Sequence, residues 1–395
     1  VPGALPVGAP WPKDNQLNRH TGARSFHAYV HVPFCEVRCG YCDFNTYTAK
    51  ELGGVSQSTF HEHLIGEVAF SKRVVGKMPE LSSVFIGGGT PSLFSAKQIE
   101  AVLESLGENF GLALDCEVTL EANPESTTPE YLTEIAKVGI TRLSMGVQSF
   151  DSQVLQALDR QHEPERVAPL IAAAKELGML TSIDLIYGTP GETLDSWSKT
   201  LDEALALGTD HVSAYSLIVE PGTKLARQIA SGEIGQTSED VNAEMYEHAT
   251  KSFETAGLGW YEVSNWGKPS VHNSAYWKSQ NWWGYGPGAH SHIDGNRFWN
   301  HKHPTTYQKA LSDGAPAAGI ERLTDRQILE EKLLLMLRTT WGVERELFSR
   351  LKVPSELVAQ EISEGNLELI ATDRIRVSRK GRLIVDGLVA KFLSL

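Results

Sequence analysis

The chain is poor in cysteine: four among 395 residues, three of them within eight positions and Cys116 far from the rest. A disulfide framework pairs distant cysteines across a small secreted fold, so that architecture is excluded, and a metal site in a reducing compartment fits the spacing instead. Positive charge is also scarce. Lys and Arg number 36 against 49 Asp and Glu, a formal charge of −13 that makes nucleic acid and anionic membranes poor general partners. No stretch approaches the ~20 apolar residues of a membrane helix. The opening VPGALPVGAPWPKDN lacks the apolar core of a signal peptide, so residues 1–25 read as a flexible arm of a cytoplasmic protein.

What the sequence does have is alternation. Apolar, β-rich runs at 28–32, 83–86, 117–122, 142–147, 181–186 and 211–217 are separated by amphipathic stretches at 59–74, 96–106, 129–138, 164–177 and 194–207. This pattern predicts an α/β fold with parallel strands joined by helical crossovers, as an open barrel or a doubly wound sheet. Ligands of such sheets gather at the C-terminal strand ends. Five polar or glycine-rich motifs fall there: VPFC, GGGTP, EANP, GVQSF and DLIYGTPGE. A single rim built from five motifs points to a ligand site.

Beyond residue 259 the composition shifts. Residues 260–303 hold six of the nine tryptophans and five of the thirteen histidines and read as ordered, aromatic-rich loops within a connecting segment, 260–322. Residues 323–395 begin with the strong helix DRQILEEKLLLMLRTT and end in a β-ribbon and a closing helix, a winged-helix-like pattern. Arg374, Arg376, Arg379, Lys380 and Arg382 cluster on that ribbon; with this net acidity, a solvated ribbon or a lid is the expectation rather than a nucleic-acid surface.

The chemistry centres on Cys35, Cys39 and Cys42, spaced CxxxCxxC just past the first strand. Three thiolates can hold three irons of a four-iron cubane and leave the fourth open to a substrate atom. A closed zinc site would need a fourth Cys or His close by. The nearest histidine, His31, lies in the strand itself, and Cys116 reads as a strand-edge thiol. Tyr41, next to the third cysteine, offers a ring for stacking on a purine. GGGTP lacks the Lys-Ser/Thr of a phosphate loop, so its glycines are for close backbone approach to another ligand. Glu121, at a strand end, can accept bonds from amino or ribose groups.

AYVHVPFCEVRCGYCDF resembles the radical S-adenosylmethionine (SAM) signature in the form found in the HemN/HemW group, and the likeness runs from about residue 26 to the C-terminus. The resemblance implies a partial (β/α)6, TIM-like barrel over 26–259, a [4Fe-4S] cluster on the three cysteines, and SAM bound at the open iron, where its reductive cleavage leaves methionine and a 5′-deoxyadenosyl radical. It carries SAM contacts onto Tyr29, Gly88, Gly89, Thr90, Gln148, Arg160, Asp184 and Ile218, beside Tyr41 and Glu121.

Within that group the oxygen-independent coproporphyrinogen III dehydrogenases carry a further cysteine two residues after the third. Here Phe44 stands at that position, in the CDF form similar to HemW. His272 opens HNSAYW, which matches the HNxxYW motif of HemW-like proteins. The resemblance therefore implies a heme chaperone that passes heme to client proteins, as monomer or homodimer, with decarboxylation of coproporphyrinogen III as the alternative. His272 is the expected heme ligand, a neutral imidazole being a good donor to iron. His290 and His292 form a second possible lip, and Lys268, Lys278 and Arg297 are possible propionate partners.

Overall fold

All six apolar runs form strands: β1 (Phe26–Val32), β2 (Leu81–Gly88), β3 (Leu112–Ala122), β4 (Arg142–Gln148), β5 (Leu180–Tyr187) and β6 (His211–Ser216). In this computed structural model, which describes residues 5–17 and 24–394, each strand pairs in parallel with the next. The crossovers are α1 (Phe60–Val75), α2 (Ala96–Phe110), α3 (Pro129–Lys137), α4 (Ser152–Ala157) with α5 (Val167–Glu176), and α6 (Leu194–Ala206). Their starts are fixed locally. Ser95 and Gln98 form a reciprocal capping box on α2, and Asp151 and Thr193 accept from the first-turn amides of α4 and α6. Strands covered on both faces need near-continuous apolar sequence. In β1 the only residue that is not buried is Tyr29, which turns toward a cavity.

The aromatic-rich segment differs from expectation. Instead of loops it supplies further strands. After α7 (Lys224–Ala230) and α8 (Glu239–Thr255) come β7 (Trp260–Glu262) and β8 (Asn265–Gly267); β8 adds antiparallel to β6, and β7 antiparallel to β8. The short helix α9 (Val271–Trp277) then leads to β9 (Asn281–Tyr285), which pairs in parallel with β1 on the other side. β10 (His290–Ile293), β11 (Asn296–Asn300) and, after α10 (Pro304–Ser312), β12 (Ala317–Arg322) extend that side. One sheet results, in the order β12-β11-β10-β9-β1-β2-β3-β4-β5-β6-β8-β7. The tryptophans are therefore mostly core: Trp266 and Trp283 are essentially unexposed. One buried carboxylate ties the added strands to α1. Glu67 accepts from Trp283 Nε1 (3.1 Å), Asn300 Nδ2 (2.8 Å), the Gly286 amide (2.7 Å) and the Tyr307 hydroxyl (2.6 Å).

The expected flexible arm is pinned where it is described. Ala9 and Ile320 exchange backbone bonds of 2.9 Å, and Trp11 packs edge-on against Phe298 at 5.1 Å; the rest of the arm, 1–4 and 18–23, lies outside the described residues. The C-terminal part contains α11 (Asp325–Met336), β13 (Val343–Glu344), α12 (Arg345–Arg350), α13 (Ser355–Ser363), β14 (Leu367–Ala371), β15 (Arg374–Val377) and α14 (Val385–Leu393), with a three-stranded sheet of order β13-β15-β14. Its basic residues face acids of this chain. Arg374 pairs with Glu344 and Arg376 with Glu368; Arg379 and Arg382 reach Glu254 on α8, and Arg382 lies 3.9 Å from the Trp260 ring. The ribbon is thus a docking face for the barrel. Among the described residues no helix is long and apolar enough to cross a membrane.

Candidate functional site: a thiol-lined cavity at the strand ends

A cavity of about 540 Å³ opens at the C-terminal ends of β1–β6 and is lined by Cys35, Cys39 and Cys42 together with Glu121, Arg160 and His272. Every other residue assigned to SAM lines the same cavity: Tyr29, Tyr41, Gly88, Gly89, Thr90, Gln148, Asp184 and Ile218. Cys116 lines no part of it.

The cysteine loop is held by backbone bonds and by one asparagine. The Cys35 amide donates to Tyr47 O at 3.1 Å, and the Cys42 amide to Cys39 O at 3.2 Å. Asn45 Nδ2 donates to Pro287 O and to Lys302 O, both at 2.9 Å, which anchors the loop to the β9–α10 region. GYGPGAHSH therefore braces the loop: a Cβ at Gly288 would sit 2.6 Å from Asn45 Nδ2. His292 is buried, with Nδ1 on Gln280 O and Nε2 accepting the Gly295 amide, so it has no free nitrogen. His290 is exposed and stacks on Trp299.

The donor set fits an iron–sulfur cluster. All three thiols are half-buried and unpaired, and among the described residues no group of three or more His, Cys, Asp or Glu converges on one ion position. A cubane needs its ligands spread over separate corners rather than gathered on one ion. Burial pushes the Cys35 thiol up and the Cys42 thiol up to about 12, and the other cysteines add to it. Positive metal is what such sulfurs need to become thiolates. Thr90 Oγ1 lies 3.7 Å from Cys35 Sγ, and Arg160 Nη1 lies 3.8 Å from Cys39 Sγ, each placed to donate to sulfur. Gly89 packs so tightly here that a Cβ would come within 2.9 Å of Cys35 Sγ.

Beside the thiols are groups suited to a zwitterionic ligand. Glu121 accepts the Gly88 amide at 3.0 Å, and Gly88 has φ +123°, a conformation that favours glycine. Burial first, and the charge of Asp184 second, push the Glu121 carboxyl up to about 8. Asp184, which accepts from Ser144 Oγ at 3.2 Å, is also raised by burial. Two carboxyls neighbouring each other in the wall of one cavity do not both ionise readily. Arg160 donates to Gly146 O (2.9 Å), Asn123 Oδ1 (3.1 Å) and Glu125 (3.3 Å), and its Nε has no partner in the protein. Gln148 adopts φ +66°, strained backbone of the kind that persists at ligand sites.

Local pairings explain two sequence features. His31 Nε2 lies 2.9 Å from Asn45 O, and a carbonyl only accepts, so Nε2 carries the proton. Nδ1 then accepts from the Tyr29 hydroxyl at 2.9 Å, leaving the phenol oxygen's lone pairs to the cavity. Tyr41 packs on Val154, Leu158 and Ile186, a small apolar cluster apart from the main core. Asn123 and Glu125 went unassigned in the sequence although they follow β3 in EANPES; the strand-end rule that found Glu121 applies to them equally.

His272 meets a closed arrangement. Its ring is 1% exposed; Nδ1 is 2.8 Å from Ser83 Oγ, Nε2 is 2.8 Å from the Tyr276 hydroxyl, and one face stacks on Phe85. To ligate iron it would have to give up Tyr276. Lys278 lies over the Trp341 ring, and Arg297 pairs with Glu321 and Glu331.

Comparison with known proteins agrees with this geometry. The Radical SAM superfamily profile matches residues 29–204. The heme chaperone HemW of Mycobacterium tuberculosis is 41% identical over 100% of this chain and 98% of its own length, and that of Bacillus subtilis is 32% identical over 93% and 98%. The mouse mitochondrial protein named radical S-adenosyl methionine domain-containing protein 1 is 35% identical over 92% of this chain and 86% of its own. Among solved structures, the coproporphyrinogen III oxidase HemN of Escherichia coli superposes with a TM-score of 0.80 at 22% identity, covering 93% of this chain and 90% of that one, a likeness of fold. The chain therefore belongs to the radical SAM superfamily and, within it, to the HemW family.

Proposed function

We propose that this protein is a heme chaperone that receives heme at the rim of the thiol-lined cavity and hands it to client proteins. The observation that carries the proposal is the rim itself. Val37, Phe44, Tyr215 and Ile218 are all large, all exposed (Phe44 by 63% and Ile218 by 68%), and all border the cavity mouth. Apolar side chains grouped on an exposed edge mark a binding surface, and a flat macrocycle with an apolar face fits it. Phe44 serves the rim at the position where a decarboxylase of the group carries its further cysteine, and no observation here favours decarboxylation.

Cys35, Cys39 and Cys42 would hold the [4Fe-4S] cluster, and Glu121, Arg160 and Gly88 the amino-acid and sugar parts of SAM. Bound together, these two groups supply reductive cleavage of a sulfonium bond. Arg160 brings positive charge to Cys39, Tyr29 is oriented by His31, and the apolar walls around Tyr41 keep water from that side. We assign the faces of heme to the rim; His272, expected as axial ligand, would serve only if Nε2 exchanged Tyr276 for iron. Cytoplasmic location, heme-accepting clients and a monomer or homodimer complete the proposal, the first supported by the free thiols and net acidity.

Hemin titration followed by Soret absorbance tests it. Phe44→Ser and Ile218→Ser should each weaken binding by about tenfold or more, the loss expected when one large apolar contact of ~1.5–3 kcal/mol goes. His272→Phe should leave affinity within about threefold. Unchanged affinity in both rim variants would refute the rim, and loss of the Soret band in His272→Phe alone would restore that residue as ligand.

A further inference from the structure

A file of buried polar side chains runs from the N-terminal end of β1 to the cavity. Ser25 Oγ is 2.7 Å from His27 Nε2, and His27 Nδ1 is 2.8 Å from Ser83 Oγ. Ser83 Oγ is 2.8 Å from His272 Nδ1, and His272 Nε2 is 2.8 Å from the Tyr276 hydroxyl. Tyr276 lines the cavity, within electrostatic reach of Glu121. Every member is a hydroxyl or an imidazole, able both to donate and to accept. His27, Ser83 and His272 are buried, whereas Ser25 and its partner Gln280 are half-exposed.

We propose that Ser25, His27, Ser83, His272 and Tyr276 form a proton path joining solvent at the outer end of β1 to Glu121, so that this carboxyl changes protonation while a ligand fills the cavity. A relay imposes a rule. Ser83 has one proton and stands between two Nδ1 atoms, and to pass a proton along it must donate to one ring and accept from the other. His27 and His272 therefore carry their protons on opposite nitrogens.

Both polarities of the chain are complete. Pointing inward, Ser25 donates to His27, His27 to Ser83, Ser83 to His272 and His272 to Tyr276, whose hydroxyl then faces the cavity. Pointing outward, every bond reverses and Ser25 donates to Gln280 Oε1, an acceptor already 3.1 Å away. A proton leaving Glu121 crosses to the Tyr276 oxygen through water in the cavity that both groups line, and the hydroxyl's own proton passes to His272 Nε2. The Nδ1 proton of His272 passes to Ser83, that of Ser83 to His27 Nδ1, that of His27 Nε2 to Ser25, and one proton leaves Ser25 to water. One proton enters, one leaves, and the chain ends in the inward polarity, ready for a proton to return.

The chemical need is at Glu121. Beside Asp184 it holds a proton near neutral pH, yet a ligand bringing an ammonium group is best met by a carboxylate. The proton must then depart after the ligand has covered the mouth. Burial keeps both imidazoles neutral, His27 with its pKa down at about 4 and His272 well below the ordinary value, as relay members require.

The inference rests on SAM occupying this cavity. Its test is the rate at which the Glu121 carboxyl gives up its proton when SAM is mixed with the cluster-reconstituted full chain. The rate is read from the loss of the protonated-carboxyl infrared band, assigned with Glu121→Gln. Ser83→Ala, or His27→Phe should the first variant fold poorly, is expected to slow this loss by about tenfold or more while the SAM dissociation constant stays within about twofold. Loss at the wild-type rate in these variants would overturn the path. Nitrogen NMR of histidine-labelled, ligand-free protein checks the chain independently: opposite tautomers at His27 and His272 are expected, and the same tautomer in both would overturn it. Calorimetry that finds no SAM binding would count against the cofactor assignment, while the tautomer result still decides the chain.

Discussion

Replacing Gly89 with alanine puts a methyl carbon into the wall of the thiol loop. That carbon would lie 2.5 Å from Phe34 O, 2.9 Å from Cys35 Sγ and 3.0 Å from the Phe34 carbonyl carbon, where ordinary contact begins at 3.4 Å. The worst overlap is about 0.9 Å, and the atoms in the way are mostly backbone. They have little room to retreat. Phe34 is wedged edge-on against Phe60 at 5.0 Å, Phe34 O accepts the Thr90 amide at 2.8 Å, and the Gly89 amide is bound to Val32 O at 2.8 Å. Overpacking of this kind costs ~1–3 kcal/mol, which a domain stable by ~5–15 kcal/mol survives. The fold should persist while Cys35 Sγ is displaced. Anaerobic reconstitution of Gly89→Ala should therefore give a folded protein with most of its iron, sulfide and reduced-state paramagnetic signal lost. Gly107→Ala is the control: it lies within α2, its added carbon meets nothing closer than 3.9 Å, and it should gain ~0.5–1 kcal/mol with full loading. Wild-type iron content and signal in Gly89→Ala would refute the close-packing account of the loop.

The pH dependence of stability follows from Glu121. Its folded pKa of about 8 stands above the ordinary 4.5, so its contribution is fully present below pH 4.5 and is lost as pH rises through 8. Urea denaturation at pH 5.5 and 8.5 should show wild type losing ~3 kcal/mol relative to Glu121→Gln, after allowance for water in the cavity; parallel curves would show that the carboxyl is ionised throughout. Arg160→Met removes the cation beside Cys39 and leaves Asn123 and Glu125 without their donor. SAM affinity measured by calorimetry should fall by about tenfold or more. At Glu67 all four partners donate, so Glu67→Gln turns an acceptor into a donor facing the Gly286 amide or the Trp283 and Asn300 donors. The cost should be ~1–3 kcal/mol in thermal or chemical denaturation, with no change in SAM binding.

Much of the barrel was legible because parallel strands buried on both faces must be apolar along their length. The runs beginning at 28, 83 and 142 lie within β1, β2 and β4. β3 proved longer than its run: its first residues leave the core, with Leu114 fully exposed, so no pattern marked them. The tryptophan-rich segment misled for a related reason. Strands β7 to β11 have three to five residues each, too few to display a period, and their aromatics are core rather than a loop surface.

The sequence by itself determined the thiol spacing, the glycine-rich turn for close backbone approach to a ligand, and the strand-end residues, since each is a local matter of residue type and separation. Only the tertiary structure decided how the histidines are used. His31 serves Asn45 and Tyr29, His292 serves Gln280, and His272 joins Ser83, 189 positions away, to Tyr276. An imidazole's role depends on what each nitrogen faces, and those partners come from strands brought together by the sheet order.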